Sequence, residues 1–188
     1  MEDKYKNKII TVPNLLSFFR LLLIPVIVWL YVEKHDAKWA CYLLILSGIT
    51  DVVDGIIARN CHMVSDFGKA FDPVADKLTQ IAVLFCLVTE FKWMLLPLCL
   101  LVIKEVSAGI IGLLVIRKTG EISGSVWHGK AATVSLYGMM TVHLIWYNIS
   151  PALSGVLIGV CTALVVLSAI LYGIPNVKTV INRNTEAI

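Results

Sequence analysis

Charge is what this sequence has least of. Lys, Arg, Asp and Glu make up 15% of its 188 residues, against 58% hydrophobic residues. A soluble domain carries about 25% charged and about 45–50% apolar residues, so this composition points away from a water-exposed surface. It also excludes disorder, because so much apolar side chain does not stay solvated. The 16 basic residues exceed the 13 acidic ones by only three and form no basic run, so the footprint of a nucleic-acid partner is missing. Paired cysteines are missing too. Cys41, Cys61, Cys86, Cys99 and Cys161 are odd in number, scattered and without a C-x-x-C pair, which argues against a disulfide framework or a zinc site. No cleavable signal peptide is expected, since the first apolar run is long, contains Arg20 and has no small-residue cleavage site after it.

What the sequence does have is long apolar runs. A helix crossing the hydrocarbon core takes about 20 residues. The runs predict an all-α polytopic membrane protein, one domain over 1–188, with six transmembrane helices and a short N-terminal interfacial segment. The expected spans are about 15–32, 39–58, 68–89, 93–116, 130–147 and 152–173. Pro13 and Asn14 suit a helix start, Pro25 suits a kink, and Gly173 and Pro175 suit a helix end. Only 152–173 contains an uninterrupted apolar 20-mer. With six spans, one side receives Lys4, Lys6, Lys8, Arg59, Lys69, Lys77, Arg117, Lys118, Lys130, Lys178 and Arg183, and the other Lys34, Lys38 and Lys92. By the positive-inside rule the protein is expected in the cell membrane with its termini in the cytoplasm.

Against this background a few charges stand out. Asp51 and Asp54 are three residues apart and Asp72 and Asp76 four, so each pair projects from one helix face. Four carboxylates in a partly desolvated space repel one another, and divalent cations resolve that. Their hard oxygen ligands favour magnesium or manganese. Gly55 and Gly68 allow close approach beside the acids. Arg20, Arg59 and Lys130 suit a phosphate-containing ligand better than a transported ion, although an ion transporter built on the four acids is the rival class. Lys104 and Glu105 also have a plain reading, each answering a neighbouring charge.

Residues 51–76, DVVDGIIARNCHMVSDFGKAFDPVAD, spell D-x-x-D-G-x-x-A-R, eight residues, then G-x-x-x-D-x-x-x-D. This stretch matches the signature of the CDP-alcohol phosphatidyltransferase family, and the VPNLLSFFR opening resembles the family as well. The resemblance implies transfer of a phosphatidyl group from CDP-diacylglycerol to a polar alcohol at the cytoplasmic membrane surface, with release of CMP. It implies Asp51, Asp54, Asp72 and Asp76 as ligands of two Mg2+ or Mn2+ ions, with Asp76 also the general base. Asn14, Arg20, Gly55, Ala58, Arg59 and Gly68 would serve the CDP and pyrophosphate side, and Lys104 and Lys130 the acceptor. A homodimer is implied too.

Within the family, PN-x-x-[ST]-x-x-R and FGK-x-x-DP-x-ADK are most similar to the bacterial branch that uses glycerol 3-phosphate and makes phosphatidylglycerophosphate, so that acceptor is expected first. The alternatives are a cardiolipin-synthase-like use of phosphatidylglycerol and serine- or inositol-type acceptors. The departure from the first branch lies in the fourth span. That branch typically has an Arg-Glu pair there with a second Arg eight residues after the first, where this chain has Lys104-Glu105 and Gly112. Lysine does not replace a bidentate guanidinium on phosphate.

Overall fold

The computed structural model describes residues 11–60, 65–119, 127–146 and 148–185, and every regular element among them is helical. Helix α1 (Val12–Val32) opens at Thr11, whose hydroxyl accepts from the Asn14 amide at 3.4 Å. Pro13 lies in its first turn, where a missing N–H costs no hydrogen bond. The helix runs on through Pro25. His35, at φ 51°, takes the left-handed conformation that reverses the chain. Asp36 then caps α2 (Ala37–Asn60), its Oδ1 accepting from the Trp39 amide at 3.2 Å. Helix α3 (Asp66–Val88) starts at Ser65, and a single 3-10 turn, Lys92–Met94, leads into α4 (Leu95–Thr119). Helices α5 (Trp127–Ile145) and α6 (Pro151–Thr185) complete the order. α6 runs past Gly173 and Pro175, where the sequence suggested an end; one lost donor does not stop a long helix.

The all-α expectation holds, but the expectation of six transmembrane helices is corrected. Four helical stretches among the described residues are long and apolar enough to cross a membrane: Val12–Val32, Ala37–Ala58, Lys92–Gly112 and Pro151–Ile174. α3 falls short because even its most apolar 18 residues, 71–88, hold Asp72, Asp76 and Lys77. α5 falls short because His128, Lys130, Thr133, Ser135, Thr141 and His143 run through its 19 residues. The protein is a multi-pass membrane protein built on four apolar helices.

The chain forms two compact units. The first is Met1–Glu90 with Met140–Asn148, and the second is Phe91–Met139 with Ile149–Ile188. In the first, α1 packs along both α2 and α3, which touch each other only sparsely. The buried face of α1 is Pro13, Asn14, Ser17, Arg20, Leu23, Ile27 and Tyr31, a helical stripe that is polar at one end and apolar at the other. Leu15, Phe18, Phe19 and Leu22 point outward. This inversion, with arginine inside and leucine outside, suits a surrounding of lipid rather than water. In the second unit α4 packs along α6, with Leu98, Leu101, Ile158 and Val165 buried.

Ala40, in α2, has no exposed surface. Ala40→Leu is expected to overpack the first unit by about 1–3 kcal/mol. Thermal unfolding in detergent should show a lowered midpoint, while Val134→Leu, at a site 71% exposed, should leave it unchanged.

Candidate functional site

The polar end of the α1 stripe is where the acids gather. Asn14, Ser17 and Arg20 recur every three residues and so share one face of α1. That face meets Asp51 and Asp54 from α2 and Asp72 from α3. Arg20 Nη1 donates to Asp51 Oδ1 at 2.6 Å and Nη2 donates to Asp54 Oδ2 at 2.5 Å, so one guanidinium spans both carboxylates of the i,i+3 pair. Ser17 Oγ lies 2.5 Å from Asp72 Oδ1, 3.3 Å from Asp54 Oδ2 and 3.2 Å from the Pro13 carbonyl oxygen. Its hydroxyl stands between an acid of α2 and one of α3, and its single proton goes to one of these oxygens at a time, Asp72 Oδ1 being the nearest. The Arg20 side chain is wholly buried and Asp54 nearly so, whereas the Asp51 side chain is 42% exposed. The cluster therefore has a closed end at Asp54 and an open one at Asp51. Removing one partner from a buried ion pair costs about 3–5 kcal/mol, because the other charge is stranded.

Asp76 sits one turn further along α3. Gln80, wholly buried, donates from Nε2 to Asp76 Oδ2 at 2.9 Å, and Lys77 Nζ stands 3.3 Å from the same oxygen. The charges of Asp72 and Asp76 both act on Asp51, so the acids of α2 and α3 belong to one electrostatic site.

Asn14 and Gly68 meet at the start of α3. Ser65 Oγ lies 3.0 Å from Asn14 Nδ2 and 3.2 Å from Asn14 Oδ1, and it accepts from the Gly68 amide at 3.0 Å. A Cβ on Gly68 would run into Asn14 Oδ1 and press on Ser65 Oγ. The contact is with the tip of the Asn14 side chain, which would have to turn away to admit a methyl group. Gly55 and Ala58 are half-buried on α2, and the side chain of Arg59 lies outside the described residues. Lys104 and Lys130 belong to the second unit. Lys104 Nζ pairs with Glu105 Oε1 at 3.0 Å, and Lys130 is exposed.

Ser17, Ser65 and Gln80 are the polar residues of the site that the sequence reading passed over as site residues. Ser17 is signalled by its place midway between Asn14 and Arg20, and Gln80 by its i,i+4 relation to Asp76. Ser65 has no such signal before α1 and α3 are seen together.

Arg20 faces the carboxylates of Asp51 and Asp54 and Ser17 that of Asp72, so three carboxylates gather around one guanidinium and one hydroxyl. Among the described residues the acids do not form a ready cage of three ligands, for Arg20 and Ser17 stand between them. The donors are nonetheless carboxylate oxygens throughout, joined by one hydroxyl and one guanidinium. That donor set and its unmet charge fit a hard divalent cation.

Fold and site together define a multi-pass membrane protein with an acidic centre built where three helices meet. A family profile described as CDP-alcohol phosphatidyltransferase matches residues 10–173. The chain belongs to that family. It is 35% identical to a putative cardiolipin synthase of Mycobacterium tuberculosis, over 74% of this chain and 67% of that protein. It is 34% identical to a cardiolipin synthase (CMP-forming) of Streptomyces coelicolor, over 69% of this chain and 63% of that protein. A CDP-diacylglycerol–glycerol-3-phosphate 3-phosphatidyltransferase of Rickettsia typhi is 38% identical over 50% of this chain and 53% of its own length.

Gly68→Ala is expected to cost about 1–3 kcal/mol of stability. Asn14→Ala added to it should recover part of that loss, since the obstructing oxygen is then gone. A double-mutant cycle read by thermal unfolding measures the coupling, and strictly additive losses would show that the two residues do not press on each other.

Proposed function

We propose that this protein transfers the phosphatidyl group of CDP-diacylglycerol to the hydroxyl of phosphatidylglycerol, forming cardiolipin and releasing CMP. The phosphatidyltransferase class rests on family membership and on the acidic centre of α1, α2 and α3. The observation that carries the acceptor is the pair of cardiolipin synthase relatives, which align over more of the chain than the glycerol-3-phosphate relative does. The sequence agrees, because Lys104 and Gly112 stand where a phosphate-binding guanidinium pair belongs in the other branch. Glycerol 3-phosphate, expected first from the FGKAFDPVADK run, becomes the second reading, favoured by the Rickettsia relative.

In this reading Asp51, Asp54, Asp72 and Asp76 hold two Mg2+ or Mn2+ ions, whose charge, when bound, offsets that of the diphosphate and of departing CMP. Asp76 takes the proton of the acceptor hydroxyl as that oxygen bonds to the phosphatidyl phosphorus. The bond from that phosphorus to the CMP oxygen breaks, and CMP leaves with the electron pair. The Gln80 hydrogen bond to Oδ2 fixes the Asp76 carboxylate for this task. Arg59 serves the diphosphate, and the protein acts as a homodimer, as the family resemblance implies. A cytoplasmic site is supported by the basic residues even with four crossings. Lys4, Lys6, Lys8, Arg59, Lys69, Lys77, Lys92, Lys178 and Arg183 then share a side, against Lys34, Lys38, Arg117, Lys118 and Lys130.

Detergent-purified protein with CDP-diacylglycerol and Mg2+ or Mn2+ should release CMP when phosphatidylglycerol is added, with cardiolipin as the lipid product. Release with glycerol 3-phosphate alone would promote the second reading. Silence with phosphatidylglycerol, glycerol 3-phosphate, serine and inositol would remove the transferase altogether and leave the ion transporter. Asp76→Asn should lower turnover by about 100-fold or more, and a fully active variant would mean the base lies elsewhere.

A further inference from the structure

Arg20 is placed unlike an arginine waiting for phosphate. Both of its terminal nitrogens are engaged, one on Asp51 Oδ1 and one on Asp54 Oδ2, and the side chain has no exposed surface. Its Nε has no hydrogen-bond partner among the described residues. Among the described residues the two acids are thus the hydrogen-bond partners of the guanidinium. A buried guanidinium with an idle Nε gives up a hydrogen bond in order to present its fork to two carboxylates.

We propose that Arg20 is the internal counter-cation of the acidic centre: it holds Asp51 and Asp54 together while no divalent ion is bound, and it competes with that ion for their oxygens. The proposal rests on the reading of the acids as divalent-ion ligands and adds what the protein does before the ion arrives. Two carboxylates one turn apart on α2, one of them shielded from solvent, repel each other, and a positive charge between them offsets that repulsion. An ion that takes Asp54 Oδ2 meets an oxygen already shared by Arg20 Nη2 and Ser17 Oγ. It must displace the guanidinium or share the oxygen with it, and either weakens binding. The exposed Asp51 offers the route by which the exchange starts. Arg20 is a positioning residue in this account, acting through Asp51 and Asp54, and its displaced nitrogens become free to meet the phosphates that follow the ion.

The test is thermal unfolding of the full-length protein in detergent, in chelator and across a MnCl2 titration, without substrate. Wild type, Arg20→Gln, Arg20→Lys and Leu23→Ala are compared. Arg20→Gln should lose more of its unfolding midpoint in chelator than in saturating Mn2+, because the ion replaces the missing charge. Its half-saturating Mn2+ concentration should fall by about tenfold, a coupling of ordinary size between competing ligands. Leu23→Ala, on the same buried stripe, should lose equally in both conditions and keep the wild-type titration. Arg20→Lys, which brings one charged nitrogen in place of a fork, should fall between wild type and Arg20→Gln, and it carries the test if Arg20→Gln does not fold. Equal losses of Arg20→Gln with and without Mn2+ would reduce Arg20 to packing and overturn the proposal. So would a half-saturating concentration that is unchanged or raised in the arginine variants. A wild type with no Mn2+ response at all would remove the divalent-ion reading itself, whereas a wild-type response that the arginine variants share unaltered removes only the competition.

Discussion

A guanidinium buried among apolar helices cannot stand without carboxylates, and the first unit of this protein is arranged around that constraint. Arg20 has no exposed surface, so its charge must be met within the protein. Asp51 and Asp54 meet it because three residues of helix place both on the face of α2 that looks toward α1. Ser17, one turn before Arg20, extends the same contact to Asp72 of α3. α1 is therefore the element that joins the other two, and α2 and α3 scarcely need each other. Apolar packing of Leu23, Ile27 and Tyr31 holds the far end of α1, where no charge has to be satisfied.

The same polar stripe explains why the chain is so poor in charge. In lipid, each ionised group must be buried with a partner or carried to an interface. The outward faces of α1 and α2 are mainly leucine, isoleucine, valine and aromatic residues, and the acids of α2 lie in its second half, with Lys38 at its start. α3 departs from this rule. It brings Asp72, Asp76 and Lys77 together with the buried Gln80 and Thr79, and that polar content keeps it out of the set of helices apolar enough to cross.

Much of the site was legible in the sequence, and the parts that were share a physical reason. The spacings of Asp51 with Asp54 and of Asp72 with Asp76 fix shared helix faces whatever the tertiary structure, so the two acidic pairs can be read directly. Helix count and order follow from the apolar runs for the same local reason. The number of crossings does not, because an apolar run says where a helix forms, and its charges decide whether lipid accepts it. α3 and α5 are helices of sufficient length with too much polar content. Contacts between helices were hidden as well. Arg20 reads in sequence as a residue of the phosphate side, and its contacts with Asp51 and Asp54 show only where α1 meets α2. Gly68 reads as part of a nucleotide motif, and its neighbour is Asn14, more than fifty positions away.

Burial and partners give the acids different surroundings although they are chemically identical. Asp54 receives both Arg20 and Ser17 on one oxygen and is shielded from solvent, so it anchors the centre. Asp51 shares the same arginine with much of its side chain open, so it is the more accessible of the two acids that Arg20 pairs. Asp72 depends on a hydroxyl rather than a charge, so its negative charge is the least neutralised of the three by the contacts of α1. Asp76 accepts from the neutral amide of Gln80 and stands beside Lys77, both of its own helix. A reaction that needs cation ligands and a proton acceptor in one place requires acids of unequal environment. In the proposed reaction four copies of one residue would supply them, with Asp51, Asp54 and Asp72 bonded to side chains of α1 and Asp76 bonded to Gln80 of α3.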